Sequence, residues 1–450
     1  MVDKKWLKRR AEMVRKVDYI DPALYRKYGV KRGLRNDNGT GVLVGLTTIG
    51  NVHGYVMNEG EKQAIPGELY YRGINVKDIV QADKREHRFG YEETAYLLLF
   101  GELPNARELS EWKDLIGSYR RLSEPFRDNA VMKHPPKDLM NALARSVLFA
   151  YAFDPNGNPD DISLEKCLEQ SVDLIGSIPT IVAYAYQAKA HYHDGASLMI
   201  RNPDPAKSTA ENILLLTRED GRYTKLEAET LDLALILHAE HGGGNNSSFT
   251  THVVTSSHSD IYSSVAASIL SLKGARHGGA NLRVMKQMEE IMWNVKDWSK
   301  KENVCRYLEK VADKKAGDRS GLIYGLGHAV YTVSDPRAQM LKEKARALAR
   351  EKGREDQMAL FELIETEGPR IIKSRHPRAE DVCANVDLYS GFVYDMLGIP
   401  KDLYTPLFAV ARCVSWCAHR MEELVNAGPI IRPAYKPIFH PKAYVRLQDR

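Results

Sequence analysis

A chain of 450 residues, 43% hydrophobic and 27% charged, has the make-up of an ordinary globular protein long enough for two domains, which argues against a disordered or membrane-embedded chain. Its 64 basic and 59 acidic residues leave a formal charge of +5, too small and dispersed an excess to argue for nucleic acid, although a local basic patch could hold a polyanionic small molecule. Five cysteines (Cys167, Cys305, Cys383, Cys413 and Cys417) predict a reducing compartment without a disulfide framework; with no secretory signal and no apolar run of membrane-spanning length, a cytoplasmic location is expected.

Trp6 to Val17 predicts a charged amphipathic helix, and Pro22 opens a short second one. Val42 to Val56 is the one part with strand character: Val42-Leu-Val, Thr47-Thr-Ile and Val52-His-Gly-Tyr-Val lie between glycines and predict small hairpins, with Gly67 to Gly73 adding a strand. From Tyr91 the hydrophobic period is helical almost throughout. Helices are expected at Tyr91 to Phe100, stopped by Gly101, then at about Asn105 to Leu122 and Pro136 to Phe153. A loop follows from Asp154 to Pro159, and then a helix from Leu164 to Lys189, kinked at Pro179. Ala206 to Leu216 leads to an apolar helix ending in Leu231 to Leu237, which three glycines stop just after His241. Asn245 and its neighbours offer caps for the next helix, and Ile261 to Leu272 forms another that breaks at Gly274. His277 then stands just before a helix start, where unpaired backbone N–H groups favour a neutral, hydrogen-bond-donating imidazole. Leu282, Met285, Met288, Ile291 and Met292 form a stripe that reads as core. Lysine-rich helices at about Glu302 to Lys314, Asp335 to Glu351 and Asp356 to Ile372 suggest a smaller, mobile domain. Asn385 to Gly391 starts a helix, and Leu403 to Asn426 is a long apolar one. The fold class is all-α, with a minor N-terminal β-hairpin region.

Taken singly, the candidate residues have ordinary readings. His238 and His241 could be two zinc ligands on one helical face, but no third ligand has the expected spacing, so no metal is expected. His191-Tyr-His193-Asp194 reads as a solvated turn, and Cys413 and Cys417 as small buried residues. Gly325-Leu-Gly327-His328 is a weak match to a dinucleotide loop; its content is a glycine backbone beside a histidine, able to approach a ligand closely. Asp387 alone reads as an N-cap, while Arg337 and Arg432 read as surface residues. Arg412 differs, because it interrupts an apolar run, and a buried arginine requires an anionic partner.

Together and in order, these motifs resemble the citrate synthase family. They are His-Ala-Glu-His241-Gly-Gly-Gly-Asn, Lys-Gly-Ala-Arg-His277-Gly-Gly-Ala-Asn, Gly-Leu-Gly-His328-Ala-Val with Asp-Pro-Arg337, Asn-Val-Asp387-Leu-Tyr-Ser-Gly, Arg412 and Ile-Ile-Arg432-Pro. The resemblance covers about Gly41 to Tyr435 and implies a two-domain helical fold with a small domain inserted after His277. Residues 1–277 would form the first part of the large domain, 278–390 the small mobile domain, and 391–450 the rest of the large one. It also implies a homodimer whose sites borrow a residue from the partner subunit. By matching, Asp387 is the base, His277 stabilises the enol and His328 polarises the oxaloacetate carbonyl. His241, Arg337, Arg412 and, from the other subunit, Arg432 bind oxaloacetate. Basic Lys373, Arg375 and Arg378 precede the Asp387 motif and could meet coenzyme A phosphates.

The implied reaction condenses acetyl-CoA with oxaloacetate and hydrolyses citryl-CoA to citrate and CoA. It needs no cofactor, acetyl-CoA being a substrate. A carboxylate with a reference pKa of about 3.9 cannot remove a methyl proton unaided; a neutral histidine must hold the thioester oxygen as charge develops there. The nearest alternative is 2-methylcitrate synthase using propionyl-CoA, since one methylene is worth only about 1–3 kcal/mol in a pocket. An alternative of another class is a non-catalytic CoA-binding regulatory protein, which would have no need of Asp387.

Overall fold

The computed structural model describes every residue except 1–3, 37–38, 59–60, 156, 159–160, 276, 378–380, 440 and 450. Two compact units are present, Met1–Leu46 and Thr47–Arg450. In the first, α1 (Lys4–Val17) and α2 (Pro22–Lys27) form where expected, the latter with Asp21 as N-cap accepting the Ala23 N–H at 2.8 Å. Val42–Val44 do not form a strand: Leu43 is 84% exposed, and the Val42 N–H is used locally by the Leu34 carbonyl.

The second unit opens with one long antiparallel hairpin, β1 (Gly50–Asn58) on β2 (Glu61–Tyr71), and a two-residue β3 (Ile74–Asn75) beside β2. Thr47 to Ile49, expected in a strand, stay outside the sheet because Thr48 gives both its N–H and its hydroxyl to Glu422. The other long regular elements of this unit, among the described residues, are helices. The helices are α3 (Val76–Glu86), α4 (Tyr91–Phe100), α5 (Ala106–Tyr119), the single turn α6 (Glu124–Phe126), α7 (Leu139–Ala150), α8 (Leu164–Asp194), α9 (Thr209–Thr217), α10 (Lys225–His238), α11 (Asn246–Thr255) and α12 (Ile261–Lys273). After them come α13 (Ala280–Asn294), α14 (Lys301–Ala312), α15 (Pro336–Lys352), α16 (Glu355–Arg375), α17 (Asp387–Met396) and α18 (Tyr404–Asn426). An all-α fold with a minor β element is what the hydrophobic period predicts.

Local chemistry explains the boundaries. Asn105 with Glu108, Ser208 with Glu211 and Thr224 with Glu227 form reciprocal capping boxes at the starts of α5, α9 and α10. Gly101, at φ +86°, closes α4. His191 and His193 lie in the last turn of α8, which runs past the expected end at Lys189 to Asp194; both are exposed and bonded to carbonyls. α18 is the axis of the core, buried almost without break from Tyr404 to Arg420 and packed on α8, α11, α12, α4 and α10. All five cysteines are free.

Candidate active site

The sequence places His241 at the end of α10, but the helix stops at His238, before the glycines. Tertiary partners end it. Tyr71 Oη donates to the Ile236 carbonyl at 2.8 Å, and Arg412 Nε donates to the His238 carbonyl at 2.7 Å, so two orphan carbonyls are capped from β2 and α18. The chain then turns through Gly242 at φ +82°, with the Glu240 carboxylate accepting the Gly242 N–H across His241. The rings of His238 and His241 go different ways. His238 is fully buried and stacks on Phe408 at 4.3 Å, whereas His241 meets His328.

His328 arrives on a loop with no secondary structure of its own. Gly325 and Gly327 take φ of +85° and +90°, and a Cβ on Gly325 would fall 3.0 Å from the Leu388 backbone, so glycine is required for this approach. The loop is stitched to the segment before α17: Leu326 bridges Ala384, the Gly327 N–H donates to the Cys383 carbonyl, and Asn385 Nδ2 donates to the Gly327 carbonyl at 2.8 Å. The backbone N–H groups of Val330 and Tyr331 both donate to His328 Nδ1, each at 3.1 Å. A neutral His328 must therefore carry its proton on Nε2, which donates to His241 Nε2 at 3.0 Å. Tyr331 stacks under the ring at 4.7 Å.

Arg337, in the first turn of α15, lies with its Nη2 3.5 Å from that same His328 nitrogen. Asp335, the N-cap of α15, holds it through Nε at 3.1 Å and Nη2 at 2.8 Å, and also accepts the Val386 N–H. Arg412 has no such partner. It is fully buried and lies over the Phe408 ring, and its two terminal nitrogens find no hydrogen-bond acceptor among the described residues. Burial pushes this guanidinium down to about 10, against the pull of Glu240.

Asp387 is the first residue of α17, and its side chain does not cap the helix, contrary to its reading in isolation. The carboxylate makes no hydrogen bond with the described residues; its own N–H is held by Asn385 Oδ1 at 3.0 Å. Burial pushes the carboxyl up to about 6, with Arg337 opposing and Asp335 adding to the rise. His277 sits between α12 and α13 on a loop fixed where a Cβ at Gly278 would lie 2.6 Å from the Leu272 carbonyl oxygen. Its Nε2 lies 3.4 Å from Ser247 Oγ, which accepts the Trp416 indole N–H at 3.1 Å. Burial and then Arg412 push His277 down to about 4, so the imidazole is neutral; burial and that nearby positive charge are the causes, where the sequence suggests a helix N-terminus.

The family model described as "Citrate synthase, C-terminal domain" matches residues 38–434. The chain belongs to the citrate synthase family. It is 33% identical over 369 residues to the citrate synthase of Haloferax volcanii, spanning 82% of this chain and 88% of that one. With the Synechocystis citrate synthase it is 34% identical over 391 residues, spanning 85% and 88%. Among solved structures, citrate synthase from Pyrobaculum aerophilum superposes with a TM-score of 0.70 at 30% identity, covering 91% of this chain and 94% of that one. The ternary complex of Thermoplasma acidophilum citrate synthase with carboxymethyl coenzyme A and oxaloacetate superposes with a TM-score of 0.75 at 25% identity, covering 94% and 99%.

Of the residues that the citrate synthase resemblance singles out, the structure joins His241, His328 and Arg337 directly, and Arg337 and Arg412 act electrostatically on Asp387 and His277. Arg432 stands apart, exposed on the segment after α18 and without a bond to the others. Lys373 pairs with Asp381 at 3.0 Å and Arg375 with Asp313 at 3.3 Å; Arg378 lies outside the described residues. Sequence reasoning missed Asp335, Asn385, Ser247, Trp416, Glu240 and His419. Asp335-Pro336 carries a legible N-cap signature, but nothing local marks it as the counter-ion of Arg337. One group among the described residues, His252, His419 and Glu422, brings a ligand atom from each within 4.8 Å of the others. Its closest contact, 3.1 Å between the two imidazoles, has the length of a hydrogen bond.

Proposed function

We propose that this chain is a citrate synthase working on its own residues: it condenses acetyl-CoA with oxaloacetate and hydrolyses citryl-CoA to citrate and CoA. One observation carries the reading. His328 Nε2 and Arg337 Nη2 lie 3.5 Å apart, and the buried Arg412 keeps its terminal nitrogens unbonded among the described residues, an arrangement that suits a small dianion. In this scheme the keto oxygen of oxaloacetate replaces His241 as the acceptor of the His328 proton. The substrate carboxylates take Arg337 and Arg412, with His241 alongside.

Asp387 then removes a methyl proton from acetyl-CoA, helped by a carboxyl already raised to about 6. Neutral His277, its ring placed by Ser247 Oγ 3.4 Å from Nε2, donates its N–H to the thioester oxygen as the enol forms. No metal or cofactor enters this scheme.

Residues 278–390, which carry His328 and Arg337, act as a small domain that closes on oxaloacetate, excludes water and so delays hydrolysis until condensation. Compaction in small-angle scattering on adding oxaloacetate is the expected sign, and an unchanged curve refutes closure. Arg432 completes the site of the partner subunit in a homodimer. No helix among the described residues is long and apolar enough to cross a membrane, and a cytoplasmic location, checked by fractionation, fits the free cysteines. The deciding experiment is a thiol-release assay with acetyl-CoA or propionyl-CoA, each with and without oxaloacetate. CoA release that needs oxaloacetate and favours acetyl-CoA is expected; preference for propionyl-CoA moves the assignment to 2-methylcitrate synthase, and release without oxaloacetate rejects both.

A further inference from the structure

Behind the site lies a chain of titratable groups that the chemistry does not use. Glu240 and His419 are both fully buried. His419 Nε2 lies 3.3 Å from Glu240 Oε1 and 3.2 Å from Oε2. The other His419 nitrogen is 3.1 Å from His252 Nε2 and 3.6 Å from Glu422, and His252 Nδ1 reaches Glu423 at 2.7 Å. Glu422 is in turn anchored by the Thr48 N–H and hydroxyl. A Cβ on Gly50 would fall 2.6 Å from Glu240 Cγ, so β1 packs directly onto this carboxylate and fixes its place.

Glu240 faces two cations. It is the largest favourable charge acting on Arg412, yet the two form no ion pair; the carboxylate is held by His419 and by the Gly242 N–H. We propose that Glu240 and His419 are positioning residues for oxaloacetate: His419 occupies the Glu240 carboxylate and so keeps it off Arg412, whose terminal nitrogens stay open for a substrate carboxylate. Glu240, so held, fixes the turn that presents His241. The inference rests on the proposed oxaloacetate site. Its physical basis is competition: a buried guanidinium pairs with whichever anion reaches it, and a loose glutamate beside it competes with substrate. Consistent with that division, His419 is raised to about 9 and Glu240 lowered to about 2, so both are charged at neutral pH.

The test measures oxaloacetate binding by calorimetry and KM in the CoA-release assay for the intact protein and for His419→Gln, Glu240→Gln and the double variant. His419→Gln frees Glu240 to take Arg412 and should weaken oxaloacetate roughly tenfold, a coupling of ordinary size for neighbouring groups, with the acetyl-CoA KM little changed. Glu240→Gln removes the competitor and keeps an acceptor for the Gly242 N–H, so it should bind oxaloacetate as tightly as the unmodified protein or more tightly. The double variant should recover most of what His419→Gln loses, which loss of packing alone would not allow. If His419→Gln does not fold, Glu240→Gln still decides: weaker oxaloacetate binding overturns the proposal, as does a double variant no better than His419→Gln. Failure of the unmodified protein to release CoA would instead strike the proposed function, while the calorimetric comparison still reports on the pair.

Discussion

Two buried arginines of the candidate site, Arg337 and Arg412, are built in opposite ways. Arg337 sits in a loop-rich region and brings its own anion: Asp335, two residues away, takes it in a two-pronged contact and raises its pKa further above the usual arginine value. Arg412 sits mid-helix in the buried core, bonded among the described residues only through Nε to a carbonyl, and burial lowers its pKa to about 10. A charge with a resident partner is structural before substrate arrives, and one without is held in reserve for a ligand. The first region is therefore organised by local ion pairing and glycine backbone, and the second by helix packing that keeps a cation dry and unsatisfied.

The largest effect is expected in the first region, at Asp387, on which Arg337 acts electrostatically. Asp387→Asn keeps the shape and removes the proton acceptor, so turnover should fall by roughly 10²–10⁴-fold while oxaloacetate affinity stays close to that of the unmodified protein. A fall in turnover of less than about tenfold in the CoA-release assay would mean that another base is at work.

Asp335→Ala and Arg412→Met set the two arginines against each other. Loss of Asp335 leaves Arg337 buried and unpaired, a destabilisation of about 3–5 kcal/mol. Arg412→Met removes an unpaired buried charge together with the Nε donor that caps the His238 carbonyl, so it should destabilise by less, about 1–3 kcal/mol, while weakening oxaloacetate binding by about 2–5 kcal/mol. Urea unfolding of both variants checks this, and equal destabilisation would erase the distinction.

Arg412 also offers a test of the partner contribution. If Arg432 acts in trans, a mixed dimer of one Arg412→Ala and one Arg432→Ala subunit contains one intact site, and its activity should return to about half that of the unmodified dimer. Each loss alone should cost about 2–5 kcal/mol in binding. A verified heterodimer without rescue shows that the residue works in cis.

The smallest effect is a displaced pH profile. The base must be ionised, and its carboxyl is raised to about 6, so kcat/KM should fall as pH drops through 6, well above the ordinary aspartate range. His277, lowered to about 4, stays neutral over that interval and becomes charged only at lower pH. Full activity maintained down to pH 5 would contradict the raised Asp387.

Sequence alone determined the all-α class and most helix positions from Tyr91 onward, because hydrophobic period, capping residues and glycine stops are local properties. The candidate site residues from His241 to Arg432 were picked out by the resemblance of their motifs, taken together and in order, to the citrate synthase family, since singly each has an ordinary reading. The charge states and the supporting shell were decided by tertiary structure. α10 ends at His238, where Tyr71 and Arg412 cap it, and not at the glycines expected to stop it. His277 is neutral because of burial and Arg412, which is 135 positions along the chain. The contacts of Asp335 with Val386, Asn385 with Gly327 and Glu240 with His419 are made only by folding. Distance in sequence hides such partners, since desolvation and Coulomb terms depend on what packs nearby and not on what is adjacent in the chain.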